Sequence, residues 1–240
     1  MRLISWNCAT GFAAKRGAVA AVGPDVLIVP ECSQADAVAE VNVRGATFQH
    51  WQGSNVRKGL AVFAYGASQV TVAPVLDETI EYVVPFIVTS PLRLHVLAVW
   101  THRGAYRTHS TETCGYVGQL HRALSAYRGF LTEWPSLVIG DFNSNVIWDD
   151  DHQGHSHSDL VARFDELGMG SVYHSGAEGP HGSESVPTHY FRRDMTRPFH
   201  IDYCYASRAL VARGTSLEIG SPARWLALSD HMPLIVDIRN

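Results

Sequence analysis

Polar residues follow short apolar runs at six points along the chain, and their side chains are of types that catalyse hydrolysis. Asn7 follows LISW and Glu31 follows VLIVP, and the remaining members of this set are His102, Asp141, Asn143, Asp202, Asp230 and His231. An acid after a strand is most often a turn former or a helix cap. Capping does not explain Asp202 or the SDH triplet, because an unpaired carboxylate in apolar surroundings is costly. We therefore expect these groups to be paired at one rim of the fold.

The residue types in this set favour metal-assisted hydrolysis of a phosphate ester. Carboxylate and amide oxygens are hard ligands that suit Mg²⁺ or Mn²⁺. A magnesium ion would neutralise phosphate charge and stabilise the leaving oxygen. A carboxylate within reach would orient or deprotonate water, and a histidine paired with an aspartate would hold the phosphate or donate a proton.

Ten runs rich in β-branched and aromatic residues have the length of strands and would position these side chains. They are Arg2–Trp6, Val26–Val29, Leu60–Tyr65, Val70–Val75, Tyr82–Thr89, Leu94–Thr101, Ser136–Ile139, Ile201–Ala206, Ser216–Ile219 and Leu234–Ile238. Helical spacing predicts helices over Thr113–Trp134 and Ser156–Gly168, and weaker signals predict helices over Ala13–Val22 and Ser33–Val41. Many strands with few helices favour an α/β (α+β) sandwich of two packed sheets with helices outside. We expect residues 1–240 to form one domain.

Composition limits the class of protein. The chain has 240 residues, with 19 basic and 23 acidic side chains, so its formal charge is 19 − 23 = −4. This balance excludes a strongly basic coat for duplex nucleic acid but leaves room for a local basic patch. Four scattered cysteines without a C-x-x-C pair argue against a disulfide framework or cysteine zinc site. No apolar run is long enough to span a bilayer and the N-terminus lacks a signal pattern, so we expect a cytoplasmic protein, with a processed secreted form as the alternative.

The six short elements S-W-N, D-V-L-I-V-P-E, T-H, G-D-F-N, I-D-Y and S-D-H resemble, in order, the motifs of the endonuclease/exonuclease/phosphatase superfamily. The resemblance extends from Asn7 to His231. It implies a four-layered α/β sandwich in which two mixed β-sheets are flanked by helices, and hydrolysis that depends on Mg²⁺ or Mn²⁺. The chain departs from the family at V-P-E, where Q-E is usual, and is short for the superfamily.

The resemblance also implies roles for the residues of the set. Glu31 resembles the main metal ligand, with Asn7 and Asp230 completing or supporting the metal site. Asp141 resembles the residue that activates or positions the attacking water, and Asn143 the residue that orients the water or the phosphate.

The histidines of the set match further family positions. His231 resembles the histidine that contacts the phosphate, with Asp202 orienting its ring. His102 matches a histidine of deoxyribonuclease I-like members, whereas exonuclease III-like abasic-site enzymes usually have a tyrosine in this region. This departure argues against a dedicated abasic-site endonuclease.

Further residues near these motifs are candidates for substrate binding. Arg192 and Arg193 precede Asp202. We give equal weight to two explanations for them, namely contact with phosphate and exposure to solvent on a surface loop. Thr188 is placed to support the site, and Asn145 to line the cleft. The acid and histidine cluster after G-D-F-N, at residues 149–157, is either a second metal site or, as we favour, a solvated loop before a helix capped by Ser156 or Ser158.

The sequence as a whole favours a metal-dependent phosphodiesterase, and within that class a nuclease that acts on DNA as a monomer without a membrane. The DNA would be single-stranded or damaged, cut by endonuclease or 3'-5' exonuclease action. The first alternative is a phosphatase or phosphodiesterase for a small-molecule or lipid phosphate ester, which the modest acidity of the chain favours. The second is a binding module without catalysis.

Overall fold

Two six-stranded β-sheets form the centre of the structure, a computed structural model that describes residues 1–102, 116–151, 155–176 and 179–239. The first sheet contains, in order across it, β13 (Ser216–Ile219), β14 (Leu234–Asp237), β1 (Arg2–Ser5), β2 (Val26–Cys32), β4 (Lys58–Ala64) and β3 (Phe48–Asn55). The second contains β5 (Gln69–Val72), β6 (Val83–Ser90), β7 (Leu94–Trp100), β8 (Ser136–Asp141), β12 (Asp202–Ser207) and β9 (Met169–Ser171). Both sheets are mixed, because β1 runs parallel to β2 and β7 runs parallel to β8 while the other pairs are antiparallel.

Helices flank the two sheets. They are α1 (Phe12–Ala20), α2 (Gln34–Arg44), α3 (Gly118–Ala126), α4 (Arg128–Glu133), α5 (His157–Glu166), α6 (Val172–Gly176), α7 (Arg208–Ala212) and α8 (Pro222–Trp225). Val172 of α6 and Leu210 of α7 belong to the apolar cluster between the sheets, whereas the other helices cover outer faces. A small hairpin of β10 (His189–Tyr190) and β11 (Pro198–Phe199) forms a separate two-stranded sheet. Among the described residues, no helix is both long and apolar enough to cross a membrane.

Three apolar clusters divide the molecule into layers. Leu3 belongs to the cluster between the sheets, which also contains Val96 and Leu137. Its neighbour Ile4 points the other way, into the cluster beneath the helices of the first sheet. Val138 likewise faces the helices of the second sheet. Strands that are buried on both faces need apolar residues at every position, which explains the continuous apolar runs of the sequence. The predicted fold of two mixed sheets flanked by helices is confirmed.

The structure corrects several predicted element boundaries. The predicted helix over Thr113–Trp134 is divided at Tyr127, which ends α3 and precedes α4, and its first residues, 113–115, lie outside the described residues. The hydroxyl of Tyr127 accepts a hydrogen bond from the backbone of Asp77, which holds this ring in place. The half-exposed strand β3 gave no signal, because its residues FQHWQGSN are mostly polar. The other predicted helices and all ten predicted strands are present, with small differences at their ends.

Candidate active site

The ends of the two sheets meet at the residues that carry the predicted chemistry. Asn7 follows β1, and Asp141 is the last residue of β8. Asp202 begins β12 and lies directly opposite Asp141 in the antiparallel register. His231 precedes β14 and is bridged to His189 of the small hairpin. Polar groups from both sheets therefore lie together at one rim of the sandwich, as the sequence predicts.

The carboxylate of Asp141 is completely buried and is held by amide groups. Its Oδ2 atom accepts hydrogen bonds from Nδ2 of Asn7 and from Nδ2 of Asn143, both at 2.9 Å. Its Oδ1 atom accepts the backbone N–H of Asn143 at 2.9 Å. Asn143 has a positive φ of 46°, and its amide also donates to the carbonyl of Thr101. This unusual backbone conformation turns both donors of Asn143 towards the carboxylate.

His231 and Asp202 form a buried pair beside Asp141. Nδ1 of His231 lies 3.0 Å from Oδ2 of Asp202, so this nitrogen carries the hydrogen and Nε2 faces Asp141, whose Oδ2 is 4.0 Å away. The carbonyl of His231 accepts a hydrogen bond from the indole of Trp6. Thr188 fixes the start of β12, because its hydroxyl accepts the N–H groups of Ile201 and Asp202, each at 3.0 Å.

The buried charges shift the proton affinities of these groups. Burial raises the pKa of Asp141 above its ordinary value, and the nearby positive charge of His231 only partly opposes that rise. Burial alone would lower the pKa of His231, but the negative charges of Asp202 and Asp141 outweigh it and raise the pKa above its ordinary value. The imidazole of His231 is therefore charged at neutral pH, with its Nε2 proton directed at the space beside Asp141.

Glu31 occupies an irregular position within β2. The sequence places it after the strand, but β2 continues to Cys32 through a bulge, and Glu31 has a positive φ of 60°. A non-glycine residue is rarely found in this conformation, and such strain is concentrated at functional sites. The side chain of Glu31 is 21% exposed, and its Oε2 atom lies 2.8 Å from Nζ of Lys58.

The three expected metal-site residues come from adjacent parts of the rim. The backbone around Asn7 is joined to β2 by the bond from the N–H of Cys8 to the carbonyl of Pro30. On its other side, the carbonyl of Asn7 accepts the hydroxyl of Ser229, the residue before Asp230. Burial alone would raise the pKa of Asp230, but the contact with His189 and the charge of His231 lower it to about 2. Asp230 is therefore ionised beside Asn7.

The expected metal site offers two carboxylates, the ligand type that hard divalent cations prefer. Glu31 and Asp230 are carboxylates whose side chains are 21% and 28% exposed, so an ion can reach them from solvent. The amide of Asn7 is already in use, because its Nδ2 donates to Asp141 and its Oδ1 accepts the N–H of Ala9. Asn7 thus positions Asp141, while its Oδ1 keeps a second lone pair, and its place in the metal site stays a prediction.

Four of the predicted site residues contact residues other than those of the buried group around Asp141. His102 is exposed, and its ring contacts Trp100 at 5.5 Å between centroids. Arg192 is exposed above the ring of Phe191, whereas Arg193 donates to the carbonyls of Ala227 and Leu228. Asn145 is buried, with its Nδ2 hydrogen-bonded to Glu184, the carbonyl of His200 and the hydroxyl of Tyr203. A role for these four residues in catalysis or in binding substrate stays a prediction.

Sequence reasoning did not assign either of the chain's two lysines to the site. Lys58 pairs with Glu31, and Lys15 donates to the carbonyls of Cys8 and Thr10 in the loop after Asn7. His189 is a third omission, since it lies 3.7 Å from Asp230 and its ring centroid is 4.4 Å from that of His231. The signal was present for the lysines: a chain that otherwise uses arginine for its positive charges has lysine only at these two positions.

The acid and histidine cluster at residues 149–157 caps a helix. The carboxylate of Asp149 accepts the N–H groups of His157 and Ser158 at the start of α5. Ser156 is the N-cap of α5 and forms a capping box with Asp159. Residues 152–154 of this cluster lie outside the described residues. The favoured explanation, a loop that leads into a capped helix, agrees with these contacts.

The fold and the sequence assign the chain to a family of phosphoester hydrolases. The chain belongs to the Endonuclease/Exonuclease/phosphatase family, whose sequence model matches residues 4–231. Members of this family hydrolyse phosphoesters and generally use divalent metals. No curated protein matches the sequence significantly.

Solved structures of DNA-processing enzymes have the same fold. The chain is similar to the 3' phosphatase NExo from Neisseria bound to a product DNA hairpin, with a TM-score of 0.73, 18% identity and 100% of both chains covered. It is similar to the 3'-5' exonuclease NExo from Neisseria meningitidis, with a TM-score of 0.66, 19% identity and 100% of both chains covered. An AP endonuclease from Archaeoglobus fulgidus gives 0.67 and 17%, again over 100% of both chains. At these identities the likeness establishes the fold and not the substrate.

Proposed function

We propose that this protein is a divalent-metal-dependent nuclease that hydrolyses DNA phosphodiester bonds by in-line attack of water. The observation that carries the proposal is the buried arrangement of Asp141 opposite the charged pair of His231 and Asp202. Nε2 of His231 lies 4.0 Å from Oδ2 of Asp141, so a proton donor and a proton acceptor stand side by side, where both can reach one phosphate group and its attacking water. Two amides and a backbone N–H fix the carboxylate, so little reorganisation is needed during the reaction.

Each residue of the rim has a definite task in this proposal. Asp141 accepts a proton from the attacking water and orients it, while Asn143 holds the carboxylate and contacts the water or the phosphate. The protonated Nε2 of His231 donates to a phosphate oxygen, and Asp202 keeps that ring charged and oriented. Glu31 and Asp230 would hold the divalent ion, which neutralises phosphate charge when it is bound.

DNA is the proposed substrate because the structurally similar enzymes described above process DNA. Arg192, exposed beside the hairpin, and His102, exposed after β7, are proposed to contact the nucleic acid near the rim. We also propose that the protein acts as a monomer in the cytoplasm. The buried and unpaired thiols of Cys8, Cys32 and Cys204 support a reducing compartment.

A cleavage assay tests this proposal. End-labelled single-stranded, duplex and abasic-site DNA is incubated with the protein and Mg²⁺ or Mn²⁺, with and without EDTA. We expect products that need the metal and fall by at least about 100-fold in the Asp141→Ala variant. The exposed Asp150, in the short 3-10 helix after the same strand, provides the matched control, and Asp150→Ala should cleave as the wild type does. Equal turnover by Asp141→Ala and wild type would refute the assignment of Asp141.

A phosphatase for a small-molecule or lipid phosphate ester is the second candidate. The net charge of −4 and the use of Arg193 to bind backbone carbonyls favour it. Salt separates the two candidates, because binding of a polymeric anion weakens steeply with salt while turnover of a small ester does not. Absence of DNA cleavage together with hydrolysis of a small phosphate ester would select this candidate. Absence of all hydrolysis would select a binding module.

A further inference from the structure

A second group of metal-ligating side chains lies outside the rim, between α6 and the hairpin. His174 belongs to α6, while His181 and Glu184 lie in the segment that follows it. Nε2 of His174, Nδ1 of His181 and one carboxylate oxygen of Glu184 all lie within 4.8 Å of one another. The side chain of Glu184 is only 3% exposed. None of these residues has a task in the proposed hydrolysis.

The three ligand atoms are buried and lack hydrogen-bond partners. This holds for Nε2 of His174, Nδ1 of His181 and Oε1 of Glu184 among all the residues that the structure describes. Unpaired buried polar atoms are rare in proteins, because each costs the free energy of its lost hydration. Both nitrogens face Oε1 of Glu184, so a cation held between the three atoms would satisfy all of them together.

The remaining atoms of the group are hydrogen-bonded in the manner of metal ligands. Nδ1 of His174 lies 2.8 Å from the hydroxyl of Ser171. When Nδ1 donates its hydrogen to this hydroxyl, Nε2 presents a lone pair to a metal ion. Oε2 of Glu184 accepts the N–H of Gly182 at 3.0 Å and the amide of Asn145 at 3.2 Å. Such outer contacts orient ligands and set the tautomer of a coordinating histidine.

The spacing of the group suits a borderline metal. Tetrahedral zinc with bonds of about 2.0–2.1 Å separates its ligand atoms by about 3.3 Å. Nε2 of His174 lies 3.3 Å from Oε1 of Glu184, and Nδ1 of His181 lies 3.9 Å from it. The rings of His174 and His181 are stacked, with 3.8 Å between their centroids. One ring must therefore rotate before both nitrogens can point at the same ion.

We propose that His174, His181 and Glu184 bind a Zn²⁺ ion that is separate from the divalent ion of the catalytic rim. Two imidazoles and one carboxylate are ligands that zinc prefers, whereas Mg²⁺ prefers oxygen alone. A further buried imidazole nitrogen without a partner among the described residues, Nε2 of His200, lies beside this group. His200 and Glu184 both line one cavity of about 130 Å³.

The position of the zinc site suggests a structural task. Asn145 connects Glu184 to the loop that follows β8, and Asp141 is the last residue of that strand. An ion held by His174, His181 and Glu184 joins α6 to the segment before the hairpin and, through Asn145, to this loop. The ion therefore stabilises the region that supports the rim without contacting the reacting phosphate.

Zinc binding by the full chain tests the proposal. The purified protein is stripped with EDTA, titrated with Zn²⁺ against a chromophoric chelator and melted with and without the metal. We expect one tightly bound equivalent and an increase in Tm of about 5 °C or more with excess zinc. X-ray absorption of the zinc form should show nitrogen and oxygen neighbours at about 2.0–2.1 Å, with imidazole scattering.

Two substitutions locate the bound ion. Glu184→Gln keeps an oxygen to accept from Gly182 and Asn145 but replaces the free carboxylate oxygen by an amide nitrogen. His181→Asn removes one ligand at a position that is 18% exposed, where the fold tolerates change more easily. Each should bind that equivalent at least about 10-fold more weakly and lose the increase in Tm. The nearby histidine variant His155→Asn serves as the control and should bind zinc as the wild type does.

The proposal fails if the wild type binds no zinc tightly. It also fails if Glu184→Gln and His181→Asn, each shown by circular dichroism to be folded, bind the same amount as the wild type with the same affinity. That result would place any bound ion at the catalytic rim. An oxygen-only coordination shell would likewise overturn the assignment of histidine ligands. None of these readouts depends on cleavage of DNA, so failure here is distinct from failure of the proposed nuclease activity.

Discussion

Nζ of Lys58 lies 2.8 Å from Oε2 of Glu31, so the carboxylate proposed to bind the divalent ion is already paired with a positive charge of the chain. The two side chains are 43% and 21% exposed. An ion pair with this much exposure contributes only about 0.2–1 kcal/mol, because water and salt screen it. A divalent ion bound at Glu31 must share the carboxylate with Lys58 or displace it, and either costs a comparable amount.

Replacing Lys58 by methionine should therefore strengthen metal binding. Lys58→Met keeps the length of the side chain, removes the competing charge, and is expected to raise the affinity for Mn²⁺ by about 2- to 5-fold. Isothermal titration of the protein with Mn²⁺ measures this change directly. Arg57→Met, which removes the adjacent exposed cation, should have a smaller effect. Weaker Mn²⁺ binding by Lys58→Met would show that the lysine assists the metal instead of competing with it.

Loss of the Asn7 amide should impair Asp141 specifically. Asn7→Ala removes a 2.9 Å hydrogen bond to Oδ2 of Asp141. A bond to a charged group is worth about 1.5–3 kcal/mol, so kcat should fall about 10- to 100-fold. The bond favours the ionised carboxylate, so its loss raises the pKa of Asp141 and moves the acidic limb of the kcat profile to higher pH. Asn55→Ala, at the exposed end of β3, should leave the profile unchanged, and an unmoved limb in Asn7→Ala would contradict the role given to Asn7.

The pair of Asp202 and His231 predicts a change in the alkaline limb. Asp202 is one of the three charges that raise the pKa of His231, and the protonated ring is the proposed active form. Asp202→Asn removes this charge, so the pKa of His231 falls and the alkaline limb of kcat/KM moves to lower pH, with a loss of about 100-fold or more at neutral pH. The exposed Asp165→Asn variant controls for the loss of a carboxylate. If the alkaline limb of Asp202→Asn coincides with that of the wild type, His231 is not the group that titrates.

The same pair makes stability depend on pH in a definite direction. The pKa of His231 is higher in the folded chain than in the unfolded chain, so the folded state holds this proton more tightly. Its contribution to the free energy of unfolding is present below the ordinary histidine pKa and is lost as pH rises through the raised pKa. Urea unfolding at neutral and alkaline pH should show this loss in the wild type and a smaller one in Asp202→Asn. An equal loss in both proteins would place its source elsewhere.

The sequence was most informative where a polar residue interrupts an apolar strand. Asp141, Asp202 and His231 could be assigned to one rim because strands buried on both faces leave their polar residues only at the ends. Apolar runs alone did not show that both sheets are mixed, which came with the family resemblance, and the order of the strands was not predicted. The half-exposed strand β3 was missed because its burial, and therefore its pattern, is weak.

Long-range partners were beyond the reach of sequence pattern. The pairing of Lys58 with Glu31 depends on the antiparallel contact of β2 with β4 and on the bulge at Glu31. His174, His181 and Glu184 follow no recognised metal-binding spacing, and their convergence depends on a turn that brings the third residue back to the first. Such contacts arise from the packing of loops on the finished sandwich, which local periodicity does not encode.

Gly140 links the stability of the sandwich to the geometry of the rim. It has a φ of 153° and lies opposite Val99 in the parallel pair of β7 and β8. A Cβ atom at this position would stand 1.8 Å from the carbonyl oxygen of Val99, which is backbone and cannot turn away. Gly140→Ala must therefore separate the two strands next to Asp141. We expect the free energy of unfolding to fall by about 3 kcal/mol or more, measured by urea titration.

The matched control for this substitution is Gly129→Ala on α4, where an added Cβ meets no atom within 4 Å. Alanine is the better helix former, so this variant should be as stable as the wild type or more stable by up to about 1 kcal/mol. Turnover also distinguishes the two variants. Folded Gly140→Ala should lose turnover because Asp141 shifts with its strand, while Gly129→Ala should retain it. If Gly140→Ala is as stable as the wild type, β7 and β8 are not in close contact where Val99 pairs with Gly140.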